Sequence, residues 1–340
     1  MLNVGFLTPS LALGGAEIWI ETLAERLQRC RPVGCVLTNA ACCDPGLRRR
    51  VEAIMPVHVA SRERSAADLT AQLSETANVL IAWGLPSLPL LTAGLRSLVI
   101  EVAHSDISWP SQAALLKASA SKASVRVGVS RAAGQAWTIY NGASLSRVEA
   151  GRRRGDVRAE LGILPRERLA LFVGRLEPVK APHRLVRAIS LLDDWKAVFV
   201  GGGALRDDLR DFSADYAPGR CLFQPPTQNV GDFYRAADVF CLNSHFEGFP
   251  LVLAEAWLSR IPTVTTPFAF AAEMQDRHGN INTVAADTSA AAIAAAIETA
   301  ATGVTVERAW RVASEDYTAA AFARRWDNFI VERFCEACNA

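Results

Sequence analysis

Ser244-His-Phe-Glu247-Gly248-Phe249-Pro250-Leu251-Val-Leu-Ala-Glu255-Ala-Trp-Leu-Ser-Arg260 is the stretch around which the chain is organised. The apolar run Asp238-Val-Phe-Cys-Leu242 precedes it and predicts a short buried strand. Pro250 stands where a helix would begin, because its fixed φ and missing N–H suit a first helical position. Leu251, Leu253, Ala254, Trp257 and Leu258 then recur at helical spacing. This puts Glu247 in the loop before a helix N-terminus, with Glu255 about two turns away. The N–H groups of Gly248, Phe249, Leu251 and Val252 would point into that loop, and a helix N-terminus with spare N–H groups is a ready site for phosphate. The two carboxylates cannot be there for the phosphate itself. They accept hydrogen bonds from hydroxyls, so a sugar or a ribose is their natural partner. Taken one at a time, Glu247 also reads as a helix-start charge and Glu255 as a solvated helix residue.

At 340 residues the chain suits two ordinary domains better than one. Half the residues are hydrophobic and 21% are charged, so each half can bury a core and disorder is disfavoured. A net charge of +1 argues against a nucleic-acid binder. No apolar run reaches transmembrane length; Val79–Trp83 is strand-sized. Met1-Leu-Asn-Val-Gly-Phe-Leu-Thr8 lacks a basic n-region and reads as a first strand rather than a leader, so a cytoplasmic chain is expected. The eight cysteines (Cys30, Cys35, Cys42, Cys43, Cys221, Cys241, Cys335 and Cys338) should then be reduced. Cys335-x-x-Cys338 has metal or redox spacing but no second pair or nearby histidine, and inert thiols are expected.

Taken in order, Leu2–Thr8 predicts a strand, Pro9-Ser-Leu-Ala-Leu-Gly14-Gly15 a loop and Ala16–Leu27 an amphipathic helix. Strand, Gly-Gly turn and helix start is a phosphate-approach geometry, and equally a tight turn that needs glycine. It is not G-x-G-x-x-G, and Gly34–Leu37 ends in Thr38-Asn39 with no acidic residue for a ribose, so a nicotinamide cofactor is disfavoured. Strands at Val57–Ala60, Val79–Trp83, Leu98–Ala103 and Val125–Val129 alternate with helices at Ala66–Glu75, Pro86–Ala93 and Gln112–Ala120. This rhythm predicts a parallel sheet covered on both faces, with ligands beyond the carboxyl ends of its strands. Gly14-Gly15, Gly84 and His104-Ser-Asp106 sit at such ends, and His104 reads either as a ligand-facing or as a satisfied strand-end histidine. Ser130 reads as the N-cap of a helix over Arg131–Trp137.

Between Ala143 and Leu169 the pattern lapses, and Arg147, Arg152, Arg153, Arg154 and Arg158 read as a polar inter-domain linker. That cluster and Arg48-Arg49-Arg50 suit either a solvated face or an anionic membrane surface. The rhythm then restarts. Leu169–Val173 is a strand, Gly174-Arg175-Leu-Glu-Pro-Val-Lys180 a loop and Pro182–Leu192 a helix. Arg175 and Lys180 could neutralise a diphosphate there, or be ordinary surface charges. Ala197–Val200 leads into Gly201-Gly202-Gly203, again a close-approach loop at a strand end. Leu222-Phe223, Phe233–Ala237 and Thr263–Thr265 continue the alternation, Ser289 caps a helix over Ala290–Thr302, and Phe322, Trp326, Phe329, Ile330 and Phe334 stripe a C-terminal helix.

Ser-x-x-Glu247-Gly-Phe-Pro-Leu-Val-Leu-x-Glu255-Ala resembles the E-x7-E signature of the retaining glycosyltransferases of the GT4 family. Gly14-Gly15-Ala-Glu17, Val-Ala-His104-Ser-Asp, Tyr140-Asn-Gly142 and Phe-Val-Gly-Arg175-Leu with Lys180 resemble that family's other segments in order and spacing. Pro225-Pro226, where many members have glycine, is a departure. The resemblance implies an α/β chain of GT-B fold: two facing Rossmann-like doubly wound domains with an inter-domain cleft. The expected boundaries are 1–150 for an acceptor-side domain, 151–320 for a nucleotide-sugar domain, and 321–340 for a helix packing back on the first.

It further implies His104, Arg175, Lys180 and Glu247 as catalytic residues. Gly14, Gly15, Gly202, Gly248, Phe249, Pro250, Leu251 and Glu255 would bind the donor, with Glu247 on its sugar, His104 near the sugar's other face and Glu255 on its ribose. The chain holds no Asp-x-Asp, so no metal and no cofactor are expected. The implied reaction is retaining transfer of a hexosyl or N-acetylhexosaminyl group from a nucleotide-diphosphate sugar, UDP-linked or GDP-mannose, to a glycan, lipid-linked or small-molecule acceptor. The departing phosphate oxygen would take the acceptor's proton. The acceptor would meet loops around Leu11, Asp44 and Trp109, with envelope glycan synthesis at the inner membrane face as the expected setting. A nucleotide-sugar 2-epimerase, a sugar phosphorylase or a silent nucleotide-binding subunit on the same fold are the alternatives.

Overall fold

The structure is a computed structural model and describes residues 1–12, 14–39, 43–108, 110–119, 124–303 and 305–339. Leu13, Cys42, Trp109, Ala120 and Ala340, named above or falling within stretches named above, lie outside the described residues. The chain divides into two compact units, Met1–Gly142 with Ala319–Ala340, and Ala143–Thr318.

The first unit holds β1 (Leu2–Thr8), β2 (Cys30–Leu37), β3 (Val57–Val59), β4 (Val79–Ala82), β5 (Leu98–Ala103), β6 (Ser124–Gly128) and β7 (Trp137–Thr138). Their order is β3-β2-β1-β4-β5-β6-β7, every pair parallel. Parallel neighbours need crossovers, and the helices Gly15–Ala24, Pro45–Glu52, Ala66–Ser74, Leu88–Leu91 and Pro110–Ala118 supply them. Buried β1 and β4 read as near-continuous apolar runs because helices cover both faces. Ser65 and Asp68 form a capping box at one helix start, and Asp44 caps another by accepting from the Leu47 N–H.

The helix Ala319–Asn339 belongs to this unit. Its Phe322 and Trp326 rings lie 5.7 and 5.2 Å from Trp19. The buried Asp327 carboxylate accepts from the backbone N–H groups of Gln28 (2.7 Å), Arg29 (3.2 Å) and Cys30 (3.1 Å), clamping the turn that enters β2.

The second unit holds β8 (Arg168–Val173), β9 (Trp195–Val200), β10 (Cys221–Gln224), β11 (Val239–Leu242), β12 (Thr263–Thr265) and β13 (Thr283–Val284). The order is β10-β9-β8-β11-β12-β13, again parallel. Phe172, Phe199, Trp195, Ile189, Ile293 and Ile297 fill one side of this sheet. Ser289 caps the helix Ala290–Ala300 by accepting from the Ala292 N–H.

Three local expectations are corrected. Arg131–Ala133 forms only a 3-10 turn: Gly134 turns left-handed (φ 67°), and Trp137–Thr138 joins the sheet edge beside Val127 and Gly128. Ser130 precedes that turn, but its buried hydroxyl caps nothing. The stretch 143–169 is not an irregular linker, although Arg152, Arg153 and Arg154 stay exposed. It forms the helices Leu145–Val148 and Arg154–Glu160 within the second unit, where Arg154 and Arg158 both pair with Asp238. Pro250 sits one residue earlier than expected, at the cap of the helix Leu251–Leu258, where its carbonyl accepts from Leu253 (3.0 Å).

Candidate functional site

β11 ends at Leu242, and the chain turns through Asn243, Ser244 and His245 to Glu247 before the helix Leu251–Leu258. The Lys180 Nζ, carried by a 3-10 turn after β8, donates to Glu247 Oε1 at 2.6 Å. The Ser244 hydroxyl donates to the same oxygen at 2.6 Å. Two backbone and side-chain ties fix these loops together. The His245 N–H donates to the Val179 carbonyl at 2.8 Å, and the Thr266 hydroxyl to the Ser244 carbonyl at 2.9 Å. Glu247 is 8% exposed and the Lys180 side chain 20%, so the pair is largely shielded from water. An ammonium carries three donors, and only one is spent on Glu247. The first-turn N–H groups of Leu251 and Val252 have no acceptor inside their helix, and they follow directly on this pair in the chain.

Glu255, expected to be solvated if structural, is 3% exposed. Its Oε1 accepts from Arg147 Nε at 2.6 Å, and its Oε2 lies 3.1 Å from the Tyr234 hydroxyl. Burial, followed by the charge of Glu255, pushes the Tyr234 phenol well above its ordinary value, so it remains a donor. Arg184 adds a second cation near the loop, donating to the Asn243 carbonyl at 2.9 Å and lying 3.1 Å from His245 Nδ1. Burial, then Arg184, holds His245 below the usual histidine range.

Arg175 is held differently. Its side chain is 57% exposed and donates to Glu177 at 2.9 Å. The glycine loop after β9 proves to be a close approach between the protein's own backbones. A Cβ on Gly201 would fall 2.0 Å from the Gly174 carbonyl oxygen, and one on Gly203 would fall 2.5 Å from that of Leu176. Both have positive φ, 151° and 147°. Gly202 has room for a side chain, its nearest neighbour being Pro226 at 3.4 Å, while its carbonyl accepts from the Leu176 N–H at 2.8 Å. Gly248, Phe249 and Pro250 are buried, and Phe249 packs on Phe270 and Tyr317 at 5.1 and 5.4 Å.

In the first unit, Gly14 is the N-cap of the helix Gly15–Ala24, with extended backbone and a carbonyl that accepts from Ile18. His104 follows β5. Its ring lies edge-on to Trp19 (5.3 Å) and Trp83 (5.5 Å). Its Nε2 is covered and has no hydrogen-bond partner among the described residues. Burial lowers its pKa from 6.5 to about 3, so the ring is neutral at physiological pH.

The structure therefore joins Lys180 to Glu247, and places Glu255 on its own pair of partners. Arg147, Tyr234 and Arg184 were missed from the sequence. Arg147 lies 108 residues, and Tyr234 21 residues, from the carboxylate that both meet. Neither carries a local signal. No group of three or more His, Cys, Asp or Glu side chains placed to hold a metal occurs among the described residues, and Cys335 and Cys338 are exposed free thiols. No helix among the described residues is long and apolar enough to cross a membrane.

Residues 154–312, which contain Arg175, Lys180, Glu247 and Glu255, match the family model described as "Glycosyl transferases group 1". The D-inositol 3-phosphate glycosyltransferase of Mycolicibacterium gilvum (strain PYR-GCK) is 37% identical over 134 residues, covering 37% of this chain and 30% of that protein. The protein of the same name from Nocardia farcinica (strain IFM 10152) is 39% identical over 137 residues, 36% and 30% of the two chains. The chain thus spans 30% of the length of these two relatives. The crystal structure of Anabaena Alr3699/HepE in complex with UDP-glucose superposes with a TM-score of 0.82 at 20% identity, over 99% of this chain and 100% of that one. At that identity the likeness speaks to the fold. The likeness to the glycosyl transferases group 1 model thus rests on residues 154–312, while the two parallel-sheet units of the chain carry the GT-B fold.

Proposed function

We propose that this chain transfers a sugar from a nucleotide-diphosphate donor to an acceptor hydroxyl, with retention at the anomeric carbon and without a metal. The observation that carries the reading is the shielded Lys180–Glu247 pair, with Ser244 on the same oxygen, set just before a helix N-terminus inside the family region. As the glycosidic bond breaks, the leaving diphosphate gains charge. Preorganised donors aimed at that charge stabilise it: the remaining Lys180 N–H groups, the first-turn N–H groups of Leu251 and Val252, and Arg175. Among the described residues Glu247 accepts through Oε1 alone, which leaves Oε2 for a hydroxyl of the donor sugar. Glu255 is assigned to the ribose and His104, an uncharged ring, to a sugar hydroxyl. The departing phosphate oxygen takes the acceptor's proton. The likeness to a protein crystallised with UDP-glucose supports a UDP-linked donor as the first to test. A cytoplasmic setting, with an envelope glycan or glycoconjugate as acceptor, completes the proposal.

Thermal unfolding in EDTA with UDP, GDP, ADP, CMP or NAD tests it. A nucleotide near 100 times its Kd adds about 2.7 kcal/mol. Selective stabilisation by UDP or GDP is expected, together with transfer activity that EDTA leaves intact. No response to any nucleotide, or activity lost in EDTA and restored by Mg²⁺, would overturn the reading.

A further inference from the structure

Glu255 lies on a helix whose neighbouring residues Ala254, Ala256, Trp257 and Leu258 are all buried. Taking a carboxylate and a guanidinium out of water is costly, and an apolar pair of similar volume is often the more stable choice. A buried ion pair here therefore calls for a reason other than stability. The geometry supplies one. Arg147 reaches Oε1 from the helix Leu145–Val148, and Tyr234 reaches Oε2 from the helix Val230–Ala236, so three elements fix the plane of one carboxylate. Tyr234 also lies 3.0 Å from the Val252 carbonyl, which ties it to the first turn of the Glu255 helix. A carboxylate has about four acceptor positions, and these partners use two. The two oxygens are held in place, with acceptor capacity left for the paired O–H donors of a vicinal diol.

We infer that Arg147 and Tyr234 are positioning residues that orient the Glu255 carboxylate toward the ribose diol of a nucleotide, and so make this chain discriminate ribonucleotides from their 2′- and 3′-deoxy forms. This rests on the reading of the chain as a nucleotide-sugar user. A phosphate would be repelled by the same carboxylate, and a lone hydroxyl would fill only half of what the fixed plane offers.

The test is calorimetric titration of the full chain with UDP, GDP and their 2′-deoxy and 3′-deoxy forms, on the wild type and on Tyr234→Phe, Arg147→Lys and Arg147→Ala. The wild type should prefer the ribonucleotide on the order of tenfold. Tyr234→Phe, which removes one hydroxyl and keeps the ring, should lower that preference several-fold. Arg147→Ala should bring it near unity, with Arg147→Lys intermediate. The ribonucleotide should weaken while the deoxy forms change little. A merely structural role would weaken all forms alike and leave the preference unchanged in every variant, and that result overturns the inference. A wild type that binds ribo and deoxy forms equally overturns it too, while leaving nucleotide use standing. A wild type that binds no nucleotide overturns both.

Discussion

The Lys180 ammonium lies 2.6 Å from Glu247 Oε1, although sixty-seven positions separate the two residues in the chain. A cation expected to serve a phosphate is thus already shared with a carboxylate expected to serve a sugar. Coupling of this kind positions both groups before any ligand arrives, and it predicts that neither can be altered without disturbing the other.

Lys180→Ala should lower kcat by about 10²–10³-fold, the usual effect of removing one preorganised donor to a developing charge. KM for the donor should change much less, because the interaction is strongest where the diphosphate departs. Steady-state kinetics on the donor with a competent acceptor decide this. A raised KM at unchanged kcat would reassign Lys180 to ground-state binding.

Glu255→Ala should act the opposite way, raising donor KM by about 10–100-fold with kcat within a few-fold. The carboxylate is assigned to the ribose, far from the bond that breaks, so its contact is equal in ground and transition states. Lost kcat at unchanged KM would contradict that assignment.

Asp327→Ala should destabilise the first unit by about 2–4 kcal/mol, since one carboxylate serves three backbone N–H groups at the entry to β2. Urea unfolding followed by fluorescence of the Trp19 and Trp326 cluster reads it directly. A shift below about 0.5 kcal/mol would make the clamp ornamental.

The acid limb of stability should carry a contribution from His104. Its pKa falls from 6.5 unfolded to about 3 folded because burial disfavours the charged ring. Above pH 6.5 both states are neutral and the group contributes nothing. Between pH 6.5 and 3 only the unfolded chain binds the proton, so stability falls by at most about 1.4 kcal/mol per pH unit. His183, His245 and His278 are lowered in the same direction, so the comparison is with His104→Phe. That variant should show a shallower acid limb. An unchanged slope would mean that His104 titrates normally.

Thiol labelling at pH 8 should mark Cys335 and Cys338 first, since both are exposed on the last helix. Cys30, Cys35 and Cys221 should react only on unfolding, because burial pushes each thiol up to about 12 and the thiolate is the nucleophile. Cys241 is raised further for the same reason. Peptide mapping after a timed pulse gives the order.

Most of the fold was legible. β1, β5 and β12 fall where their apolar runs begin and end, because a strand buried on both faces leaves little ambiguity in the sequence. The errors lie where local signals compete. Arg131–Trp137 has helical composition, yet Gly134 ends the turn and sheet pairing claims Trp137. Arg147 and Arg158 look solvated until Glu255 and Asp238 supply their counter-charges from distant positions, while Arg152, Arg153 and Arg154 stay exposed. The glycines after β9 suggest a ligand's approach, whereas the Gly174–Leu176 backbone already occupies the space that Gly201 and Gly203 leave open.

By itself the sequence determined the alternation of strands and helices, the parallel sheets that follow from it, and the motif that carries Glu247 and Glu255. These are local or periodic properties, set by side-chain burial and backbone preference within a few residues. Only the tertiary structure decided that Lys180 shares Glu247 with Ser244, that Arg147 and Tyr234 hold Glu255, that Asp327 clamps the turn before β2, and that the His104 Nε2 is buried without a partner among the described residues. The pairings of Lys180 with Glu247, of Arg147 and Tyr234 with Glu255, and of Asp327 with the turn before β2 join residues whose separation along the chain carries no trace of their contact, and they owe their energy to the exclusion of water that only the packed fold provides.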